Sequence, residues 1–200
     1  MGYNRFLYRT LRGLVRLWLR LMFRVRVEGL ENVPQTGPVL LCINHISAID
    51  PPAVGAVMQR DVHFMAKVEL FSYLGWLLPH IAAYPVNRDV RDSRAVRHTL
   101  RLMQHGAVVG LFPEGHRQSQ GALGSPRPGA GSLIGHARAA VVPVAVRGPW
   151  RFFRTVRIRF GAPLDLTHSA DPAADVMRAI ARLYYDPEQF GSGLPWAESD

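Results

Sequence analysis

Cysteine is nearly absent from this chain. Cys42 is the only one in 200 residues, so no internal disulfide can staple the fold, and a cysteine-built zinc site is excluded. The same scarcity fits a reducing, cytoplasmic-side location. Cys42 stands inside the run Val39-Leu40-Leu41-Cys42-Ile43, where it reads as a small buried hydrophobe rather than a nucleophile. Lysine is as rare: Lys67 is the only one, and arginine carries the rest of the positive charge. No charge-free stretch approaches the ~20 residues of a membrane span, and no small-residue cleavage site follows the amino-terminal segment, so neither a transmembrane helix nor a signal peptide is expected. The Gly-x-Ser-x-Gly elbow of serine hydrolases is missing, since Ala130 stands two before Ser132 and Phe190 two before Ser192. Gly129-x-Gly131 has neither a Walker lysine nor the strand-to-helix setting of a dinucleotide loop. His-Glu-x-x-His is absent and the histidines are scattered, so no metal is expected.

What is present suits one α/β domain. The hydrophobic share is 48%, enough for a sizeable core at this length. The net charge of +9 attracts phosphate, whether on nucleic acid, anionic lipid or a small substrate. No RNA- or DNA-binding motif occurs, and no nucleic-acid partner is expected.

Residues 1–30 are read as an amphipathic, membrane-associating helical segment. Arg5, Arg9, Arg12, Arg16, Arg20 and Arg24 recur every three or four positions, which on a helix makes one stripe. Phe6, Leu14, Leu17, Trp18 and Phe23 occupy the other faces. Such a helix suits an anionic bilayer surface, arginines at the headgroups and Trp18 and Phe23 in the acyl boundary. The alternatives are a helix packed on the domain with a solvated arginine face, and one packed on one side and touching lipid on another.

Beyond it, apolar runs alternate with helical patterns. Strands are expected over 39–43, 62–66, 82–86, 107–112, 141–146 and 155–160, and helices over 52–60, 68–78, 91–105, 132–139 and 173–185. Residues 121–131 read as a long Gly/Pro/Ser loop. This rhythm predicts a mostly parallel or mixed central sheet flanked by helices. The segment from Leu70 to Leu78 reads as a core helix, with an acyl-chain tunnel or a membrane contact as the other possibilities.

Polar residues with chemical potential fall at the ends of the apolar runs, where open α/β sheets bind ligands. His45 and Asp50 flank the turn after the first buried strand. A strand-to-helix turn can bring them face to face, one carboxylate oxygen capping the helix while the other orients the imidazole. No protein nucleophile stands within reach, so the expected proton donor is a substrate hydroxyl and the reaction a direct group transfer. Arg88, Arg117 and Arg127 together suggest a phosphate clamp. Glu114 reads as holding an arginine or accepting from a substrate hydroxyl, and Gly115 as permitting close backbone approach.

Asn44-His45-Ile46-Ser47-Ala48-Ile49-Asp50, Asn87-Arg88, Phe112-Pro113-Glu114-Gly115-His116-Arg117 and Val142-Pro143-Val144 resemble, in order, four motif blocks of the glycerolipid acyltransferase family typified by 1-acylglycerol-3-phosphate acyltransferase. The resemblance implies a general base at His45 with Asp50 as its orienting partner. It also implies an acceptor site at Arg88, Glu114, Gly115, His116, Arg117 and Arg127, with Lys67 adding charge nearby. Asn44, or a backbone N–H after His45, is the expected oxyanion donor. No cofactor is implied, acyl-CoA or acyl-carrier protein being the donor substrate and a lysophospholipid the acceptor. The family commonly carries a hydroxyl residue where His116 stands and a lysine where Arg127 stands. On this reading 31–186 form the acyltransferase domain and 187–200 a polar tail, and the protein works peripherally at the cytoplasmic face of an anionic membrane. The competing expectations are a different acceptor (a lyso-aminolipid, another lysophospholipid or a glycolipid) and a non-catalytic membrane-binding protein.

Overall fold

All five residues of Val39–Ile43 are buried, as a strand covered on both faces requires. The computed structural model describes residues 3–87, 90, 92–118 and 122–185; Arg88 and the expected tail 187–200 lie outside them. Its strands in chain order are β1 (Arg24–Glu28), β2 (Val39–Ile43), β3 (Val62–Lys67), β4 (Ala83–Val86), β5 (Val108–Leu111), β6 (Ala140–Arg147) and β7 (Thr155–Phe160). The helices are α1 (Arg5–Met22), α2 (Asp50–Val57), α3 (Leu70–Leu74), α4 (Ser93–Gln104), α5 (Pro128–His136) and α6 (Pro172–Tyr184).

The strands form one sheet in the order β1-β7-β6-β2-β5-β3-β4. Every neighbouring pair is parallel except β6 with β7, in agreement with the expected α/β class. Side chains alternate across β2: Leu41 and Ile43 pack with Leu19 of α1 and Val54 of α2. Leu40 and Cys42 pack on the other side with Met103 of α4, Leu133 of α5 and Ile180 of α6. Because β5 and β6 flank β2 on opposite sides, β2 marks the point where strand order reverses, and the crevice of such a sheet opens beyond the strand carboxyl ends there.

Three expectations need correcting. The amino-terminal helix ends at Met22, and Arg24–Glu28, expected to be helical, pairs in parallel with β7. Its alternation of Arg24, Arg26 and Glu28 with Val25 and Val27 is a strand's period of two. The core helix expected over 68–78 is instead the short α3 followed by a 3-10 turn at Leu78–Ile81. Leu70, Tyr73, Leu74 and Trp76 are exposed rather than buried. Finally, the arginine stripe does not simply face outward. Arg12 donates to Asp61 at 3.0 Å, and the Arg16 guanidinium donates twice to the Ala56 carbonyl at 2.9 and 2.7 Å, using a carbonyl that the end of α2 leaves without a helical partner. Tyr8 and Leu19 are buried beside them, while Phe6, Leu14, Leu17, Trp18 and Leu21 remain exposed. The helix is thus packed along one edge, with much of its apolar arc uncovered. No helix among the described residues is long and apolar enough to cross a membrane.

Candidate active site

At the carboxyl end of β2 the chain turns directly into α2, and this turn carries both His45 and Asp50. Asp50 is fully buried and its carboxylate is saturated with donors. Oδ2 accepts from the Ile46 and Ser47 amides at 2.7 and 2.6 Å and lies 2.9 Å from His45 Nδ1. Oδ1 accepts from the Trp150 indole at 2.8 Å. Asp50 therefore does not cap α2, as its position before Pro51-Pro52 suggests, but ties the preceding turn together. With Nδ1–H donating to a carboxylate, the other imidazole nitrogen, Nε2, carries the lone pair. The ring itself is stacked on Phe112, centroids 4.2 Å apart, which leaves it little freedom to rotate away.

Glu114 enters the same site from the carboxyl end of β5. It is buried, with Oε2 accepting the His45 N–H and Oε1 the Gly124 N–H, each at 2.8 Å. Among the described residues it holds no arginine, one of the two roles expected of it; it joins the His45–Asp50 turn to the loop that follows β5. Burial pushes its carboxyl up from the ordinary 4.5 to about 7, against the opposing pull of the Gly124 and His45 amides and with the nearby Asp50 charge adding to the rise.

Asn44 is also spoken for. Its amide nitrogen donates to the Val146 carbonyl at 3.0 Å and its oxygen accepts the Val146 N–H at 2.7 Å, a two-way clasp between the ends of β2 and β6. With the His45, Ile46 and Ser47 amides committed to Glu114 and Asp50, neither the Asn44 amide nor these backbone donors is available to an oxyanion in this arrangement.

Those of the expected cations that are among the described residues lie on the same edge of the sheet. His116 and Arg117, in the turn after Glu114, and Arg127, at the start of α5, are exposed. Neither arginine has a carboxylate partner among the described residues. The Arg127 stem passes over Gly115, whose φ is +71°; a Cβ there would come within 2.8 Å of Arg127 Cγ, so both the conformation and the approach require glycine. Lys67 lies at the same edge but farther off, at the end of β3 with β5 between it and β2, and pairs with Glu69 at 3.0 Å.

This arrangement, a buried carboxylate orienting an imidazole beside exposed cations, occupies the span that the Acyltransferase family model matches, residues 24–147. The chain belongs to the acyltransferase family. It is 29% identical over 146 residues to the 1-acyl-sn-glycerol-3-phosphate acyltransferase of Bacillus subtilis, covering 72% of either chain. It is 33% identical over 137 residues to the lyso-ornithine lipid O-acyltransferase of Pseudomonas aeruginosa, covering 66% of this chain and about half, 51%, of that protein. Its fold resembles that of the 1-acyl-sn-glycerophosphate (LPA) acyltransferase PlsC from Thermotoga maritima, with a TM-score of 0.70 over 88% of this chain and 77% of that one, at 21% identity.

Trp150 is the part of this candidate site that sequence reasoning misses. It lies 100 positions from Asp50, follows no recognisable motif, and announces itself only as an indole just past the carboxyl end of β6. Trp150→Phe keeps the ring that packs edge-on against Phe23 but leaves Asp50 Oδ1 without this donor. A buried acceptor so stranded costs about 1–3 kcal/mol. If that cost falls on the oriented dyad, turnover drops by roughly 5–150-fold while the acceptor KM is unchanged. Steady-state kinetics beside a thermal melt check this; an equal rise in KM, or a loss of rate that merely follows a loss of folded protein, would contradict a positioning role.

Proposed function

We propose that this acyltransferase moves a fatty acyl group from acyl-CoA or acyl-carrier protein to the free hydroxyl of 1-acylglycerol-3-phosphate, forming phosphatidic acid. The observation that carries this reading is the His45–Asp50 pair, whose outward imidazole nitrogen is free to take a proton while the carboxylate behind it is fixed by four donors. His45 Nε2 removes the proton of the acceptor hydroxyl as its oxygen attacks the thioester carbonyl; Asp50 stabilises the imidazolium that forms. The tetrahedral intermediate then expels the thiolate, which receives the proton from His45. A thiolate is a good leaving group, so one base suffices and the products are an ester and a free thiol.

Arg117 and Arg127, with Arg88, two positions beyond Val86 in the sequence, bind the acceptor phosphate, His116 contributing a donor where a hydroxyl residue is usual in the family. Lys67 adds longer-range attraction. Glu114 and Gly115 shape this site rather than touch the phosphate. The protein works at the cytoplasmic face of a membrane, held peripherally by the uncovered apolar arc of α1 and its exposed arginines, a placement that the disulfide-free, arginine-rich composition supports.

A second acceptor reading has a specific basis: the relatives include a lyso-ornithine lipid O-acyltransferase, and His116 departs from the usual pattern at the phosphate site. Competition between 1-acylglycerol-3-phosphate and lyso-ornithine lipid at equal concentration separates the two. Preferential conversion of the glycerophosphate supports the first reading; turnover of the lyso-ornithine lipid alone would replace it.

A further inference from the structure

Between β6 and β7 the chain makes a tight excursion whose tip exposes Phe152 and Phe153, 63% and 66% accessible. Phe153 has a φ of +62°, a conformation that is an outlier for a bulky side chain. The backbone is nevertheless held there: the Phe153 N–H donates to the Met22 carbonyl at 2.7 Å and the Arg24 N–H to the Arg154 carbonyl at 3.0 Å. The tip is thus laced to the carboxyl end of α1, where Trp18 and Leu21 are also exposed. Phe153 is kept in water on a strained backbone, and Phe152 stays largely exposed although its ring leans on Phe23; together with α1 the two rings form a contiguous apolar surface of the kind that marks an interaction site.

The charge around this surface identifies its partner. Arg151 and Arg154 bracket the two phenylalanines and are exposed. Neither the span 148–160 nor α1 contains an acidic residue. Apolar rings projecting from an all-positive rim match a lipid surface with anionic headgroups. The patch also adjoins the dyad. Phe152 lies 5.9 Å from Phe23, Phe23 lies 5.3 Å from Trp150, and Trp150 holds Asp50.

We propose that the tip of the β6–β7 loop is a second lipid-docking element, in which Phe152 and Phe153 enter an anionic bilayer beside the end of α1 and set the carboxyl edge of the sheet against the lipid. It deepens the membrane part of the reading above, and it explains how a lipid acceptor reaches His45 without crossing water: the contact is next to the site, not on a remote face.

The test is co-sedimentation of the full chain with phosphatidylcholine vesicles, with and without phosphatidylglycerol. F152S/F153S is expected to bind the anionic vesicles at least about tenfold more weakly than the wild type. R151Q/R154Q is expected to lose several-fold at low salt and to match the wild type at high salt. Should the double serine variant fold poorly by circular dichroism, F152S/F153G relieves the positive φ, and F152W reports insertion as a blue-shifted component with anionic vesicles in the difference from the wild type, whose Trp18, Trp76, Trp150 and Trp196 also emit. Undiminished vesicle binding by folded F152S/F153S or F152S/F153G, or an unshifted F152W, would overturn the proposal. So would light scattering that showed the patch joining two copies of the chain, with vesicle binding unaffected by its loss. None of these measurements needs turnover, so an inactive preparation would count against the acyl-transfer reading and leave the docking result standing on its own.

Discussion

Substituting His45 with Ala is expected to lower acceptor-dependent acyl transfer by roughly 10²–10⁴-fold, the range that a positioned general base supplies. The size of the effect follows from the surroundings. Among the described residues no other titratable side chain is oriented by a buried carboxylate at this turn, and Glu114, the other buried acid there, spends both oxygens on backbone amides. The loss belongs to the chemical step, so kcat is expected to fall while affinity for a phosphate-bearing acceptor, assigned above to the arginines, is preserved. Vesicle binding is also retained, since neither α1 nor the β6–β7 tip touches the imidazole. A variant that binds vesicles and still turns over at a tenth of the wild-type rate would remove His45 from the mechanism.

Glu114→Gln is the second large effect, and its cause is different. Gln can offer one oxygen where Glu offers two, so either the His45 or the Gly124 N–H must face an amide NH2. A buried donor left in that state costs about 1–3 kcal/mol, and here it also loosens the backbone from which the base projects. The variant should lose stability by that amount and much of its turnover, through the backbone that Glu114 holds. The pH dependence supplies an independent check. A carboxyl raised from 4.5 to about 7 in the folded protein holds its proton through a window in which the unfolded chain has released it. The native state then binds more protons, and this contribution to stability is largest below pH 4.5, declines as pH rises through the window and levels off above about 7. His63 and His98, both lowered mainly by burial, act in the opposite sense in the upper part of that window. Their contributions cancel in the difference between wild type and variant. Urea midpoints from pH 4.5 to 8 should therefore show the stability gap between the two proteins narrowing as pH rises; a gap independent of pH would contradict the assignment.

The β/α alternation and the gathering of His45, Asp50 and Glu114 on one edge were legible because buried parallel strands are uninterrupted apolar runs, and their carboxyl ends are where the polar residues begin. Contacts across the sheet left no such trace. The Asn44 clasp on Val146 depends on β6 lying beside β2, and the Trp150 bond on where the chain re-emerges after β6; spacing in the sequence encodes neither. Edge strand β1 is hidden by its arginines, which read as a continuation of the α1 stripe. The inward turn of Arg12 and Arg16 depends on finding Asp61 and the Ala56 carbonyl opposite them, a tertiary fact that overrides amphipathic pattern. The exposure of Tyr73 and Trp76 runs against the rule that apolar helical segments are core.

The most direct test of the account is release of free thiol from an acyl-CoA by the wild-type protein, followed with and without 1-acylglycerol-3-phosphate and matched against the phosphatidic acid formed. The account predicts release that requires the acceptor and equals the ester produced, mole for mole. Thiol released at the same rate without acceptor, or thiol released with no matching ester, would mean that water and not a lipid hydroxyl is the nucleophile, and would contradict it.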